Sequence, residues 1–228
     1  RSFCGMKHVG LNVAADPLFT ISYTGVNAGM VIGVADDAGM HSSQNEQDSR
    51  HYAKAAKLTM LEPSDSAECK EFTKQAFEIS EQFDTPVLLR LSTRVSHSQS
   101  LVEVEARQDV AVKPYEKNIA KNVMMPAMAK GRHVIVEKRM NDLAEAANEL
   151  SVNRKEMRDT KIGVICSGTA YQYVKEVVGD TYPVMKLGMI WPMPVEKIKA
   201  FAASVSQLII VEELDSFIEA HCRDLGID

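Results

Sequence analysis

The chain has 228 residues, a length typical of one or two domains. Hydrophobic residues make up 45% and charged residues 25% of it, as in ordinary globular proteins. The formal net charge of −5 argues against a general nucleic-acid binder, which usually carries a basic surface. No apolar run approaches the roughly 20 residues of a membrane span, and no signal sequence opens the chain. We therefore expect a cytoplasmic protein without a nucleic-acid or membrane partner.

The first block of the sequence, up to about residue 95, alternates predicted strands and helices. The clearest helix starts at Asp65, which can cap it together with Glu68, three residues further along. Apolar residues then recur at the spacing of one helix face. In chain order, the predicted elements are a strand at 30–35, a short helix at 52–58, a brief strand at 60–61, a helix at 65–83 and a strand at 87–91.

The second block begins at Lys161 and shows the same alternation with short loops. Ser216 and Glu219 have the spacing of a capping box for the last helix. Alternation of this kind predicts a parallel sheet with helices on both faces. The predicted elements are a strand at 161–166, a helix at 170–178, a strand at 184–189, a helix at 198–205, a strand at 208–211 and a final helix.

The stretch between the blocks, residues 96–131, is polar and has little periodicity, as in a linker that crosses a surface. Residues 133–137 predict a strand, and Leu143, Ala147 and Leu150 predict a helix. The sequence as a whole predicts an α/β fold with two doubly wound, mostly parallel-sheet domains. The expected limits are a first domain at 1–95, a linker at 96–132 and a second domain at 133–228.

The four cysteines, Cys4, Cys69, Cys166 and Cys222, are far apart in the sequence. They form no C-x-x-C motif and no Cys/His pair at zinc spacing, so we expect reduced core thiols and no metal site. Ligands of an iron–sulfur cluster normally come as clustered cysteines, so the chain predicts no cluster of its own.

A dense polar segment, residues 39–56, follows the carboxyl end of the strand at 30–35. In open α/β sheets, ligands bind at this edge. The segment is therefore either part of a functional site or a solvated loop. A second segment, 6–12, places Lys7 and His8 next to another strand end, where His8 could equally be structural. The polar segment offers His41, Ser42, Ser43, Gln44, Asn45, Glu46, Gln47, Asp48 and Arg50.

The usual nucleotide and hydrolase motifs are absent from the sequence. There is no G-x-G-x-x-G after a strand, no phosphate loop, no G-x-S-x-G and no H-E-x-x-H. Gly168 precedes a predicted helix, whose first amides could hold an anion. We interpret that position as an ordinary strand-to-helix turn.

Three segments carry a resemblance to a known family: MKHVGLNVAADPL at 6–18, ADDAGMHSSQNEQDSR at 35–50 and TPVLLRLSTRVSHS at 85–98. Together with the rest of the chain they resemble the alpha subunits of the thiamine-diphosphate-dependent 2-oxoacid:ferredoxin oxidoreductases, in the branch specific for indolepyruvate. The resemblance implies that the first block is the latter part of a pyrimidine-binding domain. It implies that the second block is a transketolase C-terminal-like domain.

The family resemblance also implies an activity. Such an enzyme oxidatively decarboxylates aryl pyruvates, above all indolepyruvate, to acyl-CoA with ferredoxin as the electron acceptor. It uses thiamine diphosphate with Mg²⁺, and [4Fe-4S] clusters whose ligands lie outside this chain. A second (beta) subunit and a homo- or hetero-oligomer are expected. The family's catalytic glutamate lies upstream of the K-H-V-G segment, and Glu46 matches it by residue type alone, so we expect this chain alone to be an inactive fragment.

The resemblance and the position near strand ends together suggest residue roles. A planar guanidinium suits a substrate carboxylate, and a histidine can relay protons. For Arg50 the alternative is an ion pair between domains. The expected catalytic residues are His8, His41 and Arg50, and the expected cofactor-binding residues are Lys7, Asn12, Ser42, Ser43, Gln44, Asn45, Gln47 and Asp48.

Two other functions compete with the enzyme hypothesis. The chain could be a non-catalytic α/β assembly module, with the rigid apolar turn at 191–194 facing another domain or subunit. A flavodoxin-like nucleotide-binding domain is the weakest alternative, because the sequence has no phosphate loop.

Overall fold

The fold is known from a computed structural model, which describes residues 1–41 and 43–227. Strands and helices alternate along most of the described chain. The strands are β1 (Ser2–Lys7), β2 (Met30–Ala35), β3 (Thr59–Leu61), β4 (Val87–Leu91), β5 (Arg154–Glu156), β6 (Ile162–Ser167), β7 (Val184–Leu187), β8 (Met189–Trp191) and β9 (Gln207–Val211).

Ten α-helices and one 3₁₀ turn (Ala38–Met40) complete the described elements. The helices are α1 (His8–Val13), α2 (Ala15–Thr24), α3 (Arg50–Ala56), α4 (Ser66–Phe83), α5 (Thr93–His97), α6 (Ile119–Asn122), α7 (Pro126–Ala147), α8 (Gly168–Val178), α9 (Val195–Ala203) and α10 (Phe217–Asp224).

Two mostly parallel sheets form the framework, which confirms the predicted fold class. The first has the strand order β1-β2-β4-β3-β8, and only the β3–β8 pair is antiparallel. The second has the order β5-β7-β6-β9, and only the β5–β7 pair is antiparallel. One apolar cluster contains Ile32 and Leu88 of the first sheet together with Ile165 and Met185 of the second. The two halves of the chain therefore share a core.

The predicted strand at 184–189 is two strands that belong to different sheets. β7 pairs with β6 in the second sheet, while β8 pairs with β3 in the first. The chain changes sheets at Gly188, where a Cβ atom would collide with the backbone of Val152. Asn153 supports this change, since its Oδ1 accepts the N–H groups of Gly188 and Met189, each at 2.9 Å. The sequence pattern does not reveal such a break, because every residue of β7 and the first two residues of β8 are buried alike.

The predicted strand at 133–137 is wrong, because these residues lie within the long helix α7. This helix buries Arg132, Val136, Arg139, Leu143 and Ala147 on one face, at the spacing of helical turns. The β-branched residues in HVIVE suggested a strand, but tertiary packing of that face outweighs their local preference. The predicted helix around residue 143 is confirmed as the last part of α7. The helix begins at Pro126, inside the stretch expected to be a linker, and the domain limits stay a prediction.

One predicted helix cap is confirmed and another is wrong. Asp65 accepts the N–H of Glu68 at 2.8 Å, as the capping pattern requires. Ser216 does not cap the last helix. The Glu212 carboxylate instead accepts the N–H groups of the first three residues of α10, at 2.9–3.2 Å. A negative charge suits the positive end of a helix, and Glu212 reaches it because it directly follows β9.

The four cysteines are free, and Cys166 and Cys222 are buried, as expected of core thiols. Burial raises the pKa of Cys166 to about 12 and that of Cys222 to about 11, so both thiols stay protonated. Among the described helices, none combines the length and the apolar character needed to cross a bilayer.

The change of sheets at Gly188 yields a stability prediction. Replacing Asn153 by Leu would leave two buried N–H groups without an acceptor, so we expect a loss of about 3 kcal/mol in the free energy of unfolding. Replacing the exposed Asn141 of α7 by Leu is the control, with an expected change of about 0.5 kcal/mol or less. Urea unfolding followed by circular dichroism measures both, and equal stabilities would contradict the role of Asn153.

Candidate functional site

The carboxyl ends of β1, β2 and β4 lie side by side, because these strands are parallel and in register. Lys7 pairs with Ala35, and Ala35 with Leu91. The residues that follow these strand ends are in contact. Thr93 donates a hydrogen bond to the buried carboxylate of Asp37 at 2.7 Å, and the Lys7 ammonium lies 3.7 Å from the same carboxylate. This sheet edge is where the sequence predicted a site.

The polar segment after β2 lies over this edge and contacts the segment after β1. His8 is fully buried, and its Nε2 lies 3.2 Å from Oδ1 of Asn45. Asn12 donates to Oε1 of Gln47 at 2.8 Å and accepts a hydrogen bond from Tyr52 at 2.7 Å. The structure thus brings together four predicted site residues from two distant segments. Tyr52 was missed, because it lay in the predicted helix at 52–58.

Two buried polar atoms at this edge have no hydrogen-bond partner within the described residues. They are Nδ1 of His8 and Oγ of Ser43. When Oδ1 of Asn45 accepts a hydrogen bond from Nε2–H of His8, Nδ1 carries a lone pair and can accept another hydrogen bond. A polar ligand at this edge could satisfy both atoms.

The other predicted site residues of the segment are not part of these hydrogen-bonded contacts within the described residues. His41 and Gln44 are exposed, and across the described part of the chain neither is hydrogen-bonded to another predicted site residue. Glu46 is exposed as well. Ser42 lies outside the described residues.

Arg50 is 1% exposed and lies among protein oxygens. Its Nε donates to Oδ1 of Asp48 and its Nη2 to Oδ2, which makes a bidentate pair, and its Nη1 donates to Glu212 at 2.7 Å. Nη2 also donates to the carbonyls of Glu213 and Asp215, at 2.8 and 2.9 Å. This geometry favours the alternative considered for Arg50, an ion pair between the two halves of the chain. A role of Arg50 in binding substrate stays a prediction that these contacts do not support.

A second buried arginine, Arg90, joins the same two halves. It donates to Asp36 at 2.7 Å and to Glu62, whose other oxygen accepts a hydrogen bond from Ser167 of β6 at 3.0 Å. Asp36 also accepts the N–H of Ser49 at 2.9 Å. The carboxyl edges of both sheets therefore face each other across this network. Sequence reasoning missed it, although an arginine within the apolar strand VLLRL was a usable signal.

The start of α8 is occupied by a carboxylate of the protein itself. Gly168 has a φ of +48°, and a Cβ atom there would collide with the side chain of Glu62. This packing supports the interpretation of Gly168 as a strand-to-helix turn rather than an anion site.

The charges of the network shift the pKa values of its acids. Burial alone would raise the pKa of Asp48, but the hydrogen bond from Arg50 and the charge of Arg90 outweigh it, so the pKa lies below its ordinary value. Glu213 shows the opposite shift, since burial raises its pKa and the nearby Glu62 adds to the effect, although Arg90 opposes it. Carboxylates thus outnumber cations at the centre of the edge.

Asp48, His51 and Asp215 are close enough to share a metal ion. However, both oxygens of Asp48 accept hydrogen bonds from the Arg50 guanidinium, and Nε2 of His51 lies 2.8 Å from Oδ2 of Asp215. The guanidinium already supplies a cation to this group, so we assign no metal to it.

Curated proteins similar to this chain were found over nearly its whole length. Proteins called indolepyruvate oxidoreductase subunit IorA match nearly all of the chain. The one from Methanothermobacter thermautotrophicus is 44% identical over 225 residues, and the one from Archaeoglobus fulgidus is 39% identical over 232. The resemblance to indolepyruvate oxidoreductase alpha subunits is confirmed. The matches cover 96% and 100% of this chain but only 36% and 37% of those indolepyruvate oxidoreductase subunits.

Two further comparisons concern families and folds. No family model matches the chain. A solved structure of 2-oxoglutarate:ferredoxin oxidoreductase from Magnetococcus marinus, with 2-oxoglutarate, coenzyme A and succinyl-CoA bound, superposes with a TM-score of 0.70. The match covers 98% of this chain and 48% of that one at 14% sequence identity, so it shows the fold of this chain and no residue role.

The buried position of Arg50 predicts a large effect on stability. Replacing Arg50 by Met would leave Asp48 and Glu212 without their cation, so we expect a loss of about 3–5 kcal/mol in the free energy of unfolding. Arg223, which is 69% exposed and pairs with Glu219, is the control, and its replacement by Met should cost about 0.5 kcal/mol. Urea unfolding compares them, and equal losses would show that burial does not strengthen the role of Arg50.

The lowered pKa of Asp48 predicts how stability depends on pH. The unfolded carboxyl, with a pKa near 3.8, binds protons more readily than the folded one, so folding is favoured at higher pH. This stabilisation is complete well above pH 4 and is lost as the pH falls through the folded pKa. We expect urea midpoints to fall steadily between pH 5 and 3, with a smaller slope for Asp48→Asn, and a slope unchanged by that variant would contradict the assignment.

Proposed function

We propose that this chain is part of an enzyme that oxidatively decarboxylates aryl pyruvates, such as indolepyruvate, to acyl-CoA with ferredoxin as the electron acceptor. The observation that carries the proposal is the contact between His8 and Asn45 at a sheet edge with two unsatisfied buried polar atoms. The names of the curated relatives support the substrate class. Since the chain spans little more than a third of those relatives, the remaining machinery and a beta subunit in an oligomer complete the enzyme in this proposal.

The residues at the edge fit thiamine diphosphate in their chemistry. Nδ1 of His8 and Oγ of Ser43 can accept or donate hydrogen bonds that the described residues do not provide. An aminopyrimidine ring offers such groups, and the cofactor would supply stabilisation of a carbanion when bound. In this proposal the residues that bind the cofactor are Asn12, Ser42, Ser43, Gln44, Asn45, Gln47 and Asp48, and Asp48 contributes by holding Arg50 in place. The ammonium of Lys7, which was also expected to bind the cofactor, lies beside Asp37 at the same edge.

His8 is the residue of this chain best placed to move a proton. Its ring is fixed by Asn45 on Nε2, which leaves Nδ1 as the atom that accepts or returns a proton. The polar segment covers His8 and keeps bulk water from it. His41, which is exposed, would approach a bound substrate from the solvent side.

The cysteines do not fit the ligand set of a [4Fe-4S] cluster. The metal-ligand grouping found in the described residues contains no cysteine, and burial keeps the thiols of Cys69, Cys166 and Cys222 protonated through raised pKa values. In this proposal the clusters and Mg²⁺ are bound by other parts of the enzyme. Unpaired cysteines suit a reducing compartment, and we place the enzyme in the cytoplasm.

The alternative function, a non-catalytic assembly module, rests on weaker support. The turn at 191–194 could have faced another domain or subunit or served local packing, and Pro192, Met193 and Pro194 are buried within this chain. The Trp191 ring packs edge-on against Phe217 with 5.9 Å between ring centres. These contacts favour local packing over a surface that binds a partner.

A variant of His8 tests the proposed function in the complete enzyme. Replacing His8 by Gln keeps a polar side chain but removes the proton-accepting Nδ1, so we expect kcat for indolepyruvate to fall about 100-fold. Replacing the exposed His133 of α7 by Gln should leave kcat unchanged. The measurement is the rate of ferredoxin reduction by each enzyme, with and without added thiamine diphosphate. A wild-type enzyme that needs no thiamine diphosphate would refute the cofactor, and an active His8→Gln enzyme would refute the role of His8.

A further inference from the structure

A 2-oxoacid carries a carboxylate, and a site that binds it needs a cation or strong hydrogen-bond donors. Two of the cations at the sheet edge are buried and bound by the protein's own carboxylates. Arg50 is held by Asp48 and Glu212, and Arg90 by Asp36 and Glu62. Freeing either guanidinium would leave buried carboxylates unpaired, at a cost that a substrate does not recover.

Lys7 differs from both arginines in its exposure. It ends β1, directly before His8, and its side chain is 41% exposed, compared with 1% for Arg50 and 2% for Arg90. Its ammonium lies 3.7 Å from Asp37, whose side chain is only 4% exposed and accepts a hydrogen bond from Thr93. Asp37 therefore holds the ammonium from the protein side, while part of the Lys7 side chain reaches solvent.

We propose that Lys7 binds the carboxylate of the 2-oxoacid substrate. This inference rests on the proposed function and deepens it, because it names the group that recognises the carboxylate common to all 2-oxoacids. An ammonium carries three donors and tolerates several carboxylate orientations, which suits aryl pyruvates with side chains of different shape. Lys7 ends β1 and His8 directly follows it, so a carboxylate bound at Lys7 lies at the same strand end as His8.

The charges around Lys7 set the size of its expected contribution to substrate binding. The centre of the edge holds Asp36, Asp48, Glu62 and Glu212 against two arginines, so a substrate anion is repelled from the interior. On the solvent side, the exposed Lys7 side chain offers such an anion a positive charge. Asp37 neutralises part of the ammonium charge, so we expect a moderate contribution of about tenfold in KM, which equals about 1.4 kcal/mol.

The test uses the complete oxidoreductase that contains this chain, with steady-state kinetics on indolepyruvate at low salt. We expect Lys7→Gln to raise KM about tenfold with kcat changed less than threefold, and Lys7→Arg to restore most of the affinity. Lys138→Gln, which removes an exposed lysine of α7, should change neither constant. Indole-3-acetaldehyde, which lacks the carboxylate, serves as a competitive inhibitor whose inhibition constant should be the same in wild type and Lys7→Gln.

Several outcomes would overturn the inference. An unchanged KM in Lys7→Gln would exclude the carboxylate contact, as would an equal loss of affinity for the uncharged aldehyde. A rise in KM for Arg94→Gln without one for Lys7→Gln would move the contact to the exposed arginine of α5. In each of these cases wild-type turnover of indolepyruvate leaves the proposed function intact. A wild-type enzyme that oxidises no 2-oxoacid would refute the proposed function, and the inference with it.

Discussion

The pairing of two buried arginines with four carboxylates is the constraint on which the rest of this structure depends. Arg50 and Arg90 are almost inaccessible to solvent, and a buried charge that loses its partner is strongly destabilising. Their partners come from both halves of the chain: Asp36, Asp48 and Glu62 from the first, and Glu212 from the second. The network therefore fixes how the carboxyl edges of the two sheets face each other.

The network anchors the polar segment after β2 at two places. Asp36, directly after β2, accepts the N–H of Ser49, and the next residue, Arg50, begins α3. Asn45 lies between these anchors in the sequence and reaches His8 at the sheet edge. A site built from a loop usually suffers from loop mobility, and here ionic anchors within the core limit it.

The second half of the chain supports the site by completing the first sheet. β8 pairs with β3, and the shared apolar cluster continues across both sheets. Ser92 at the end of β4 and Thr169 at the start of α8 are 2.6 Å apart through their hydroxyls, a further bond between the halves. The sheet edge that carries Lys7 and His8 is thus positioned by residues more than 150 positions away in the sequence, such as Glu212 and Trp191.

The sequence by itself determined many of the local elements and predicted where a site would lie. The alternation of apolar runs and capped helices predicted β2 and β4 with the bounds observed, and strand ends followed by polar residues predicted the edge with Lys7, His8 and the segment after β2. Only the tertiary structure decided which strands share a sheet, that HVIVE lies in a helix, and that Arg50 pairs with Glu212. These outcomes depend on contacts between residues distant in sequence, because burial of a helix face or of a charge is settled by what packs against it, and periodicity along the chain carries no record of that partner.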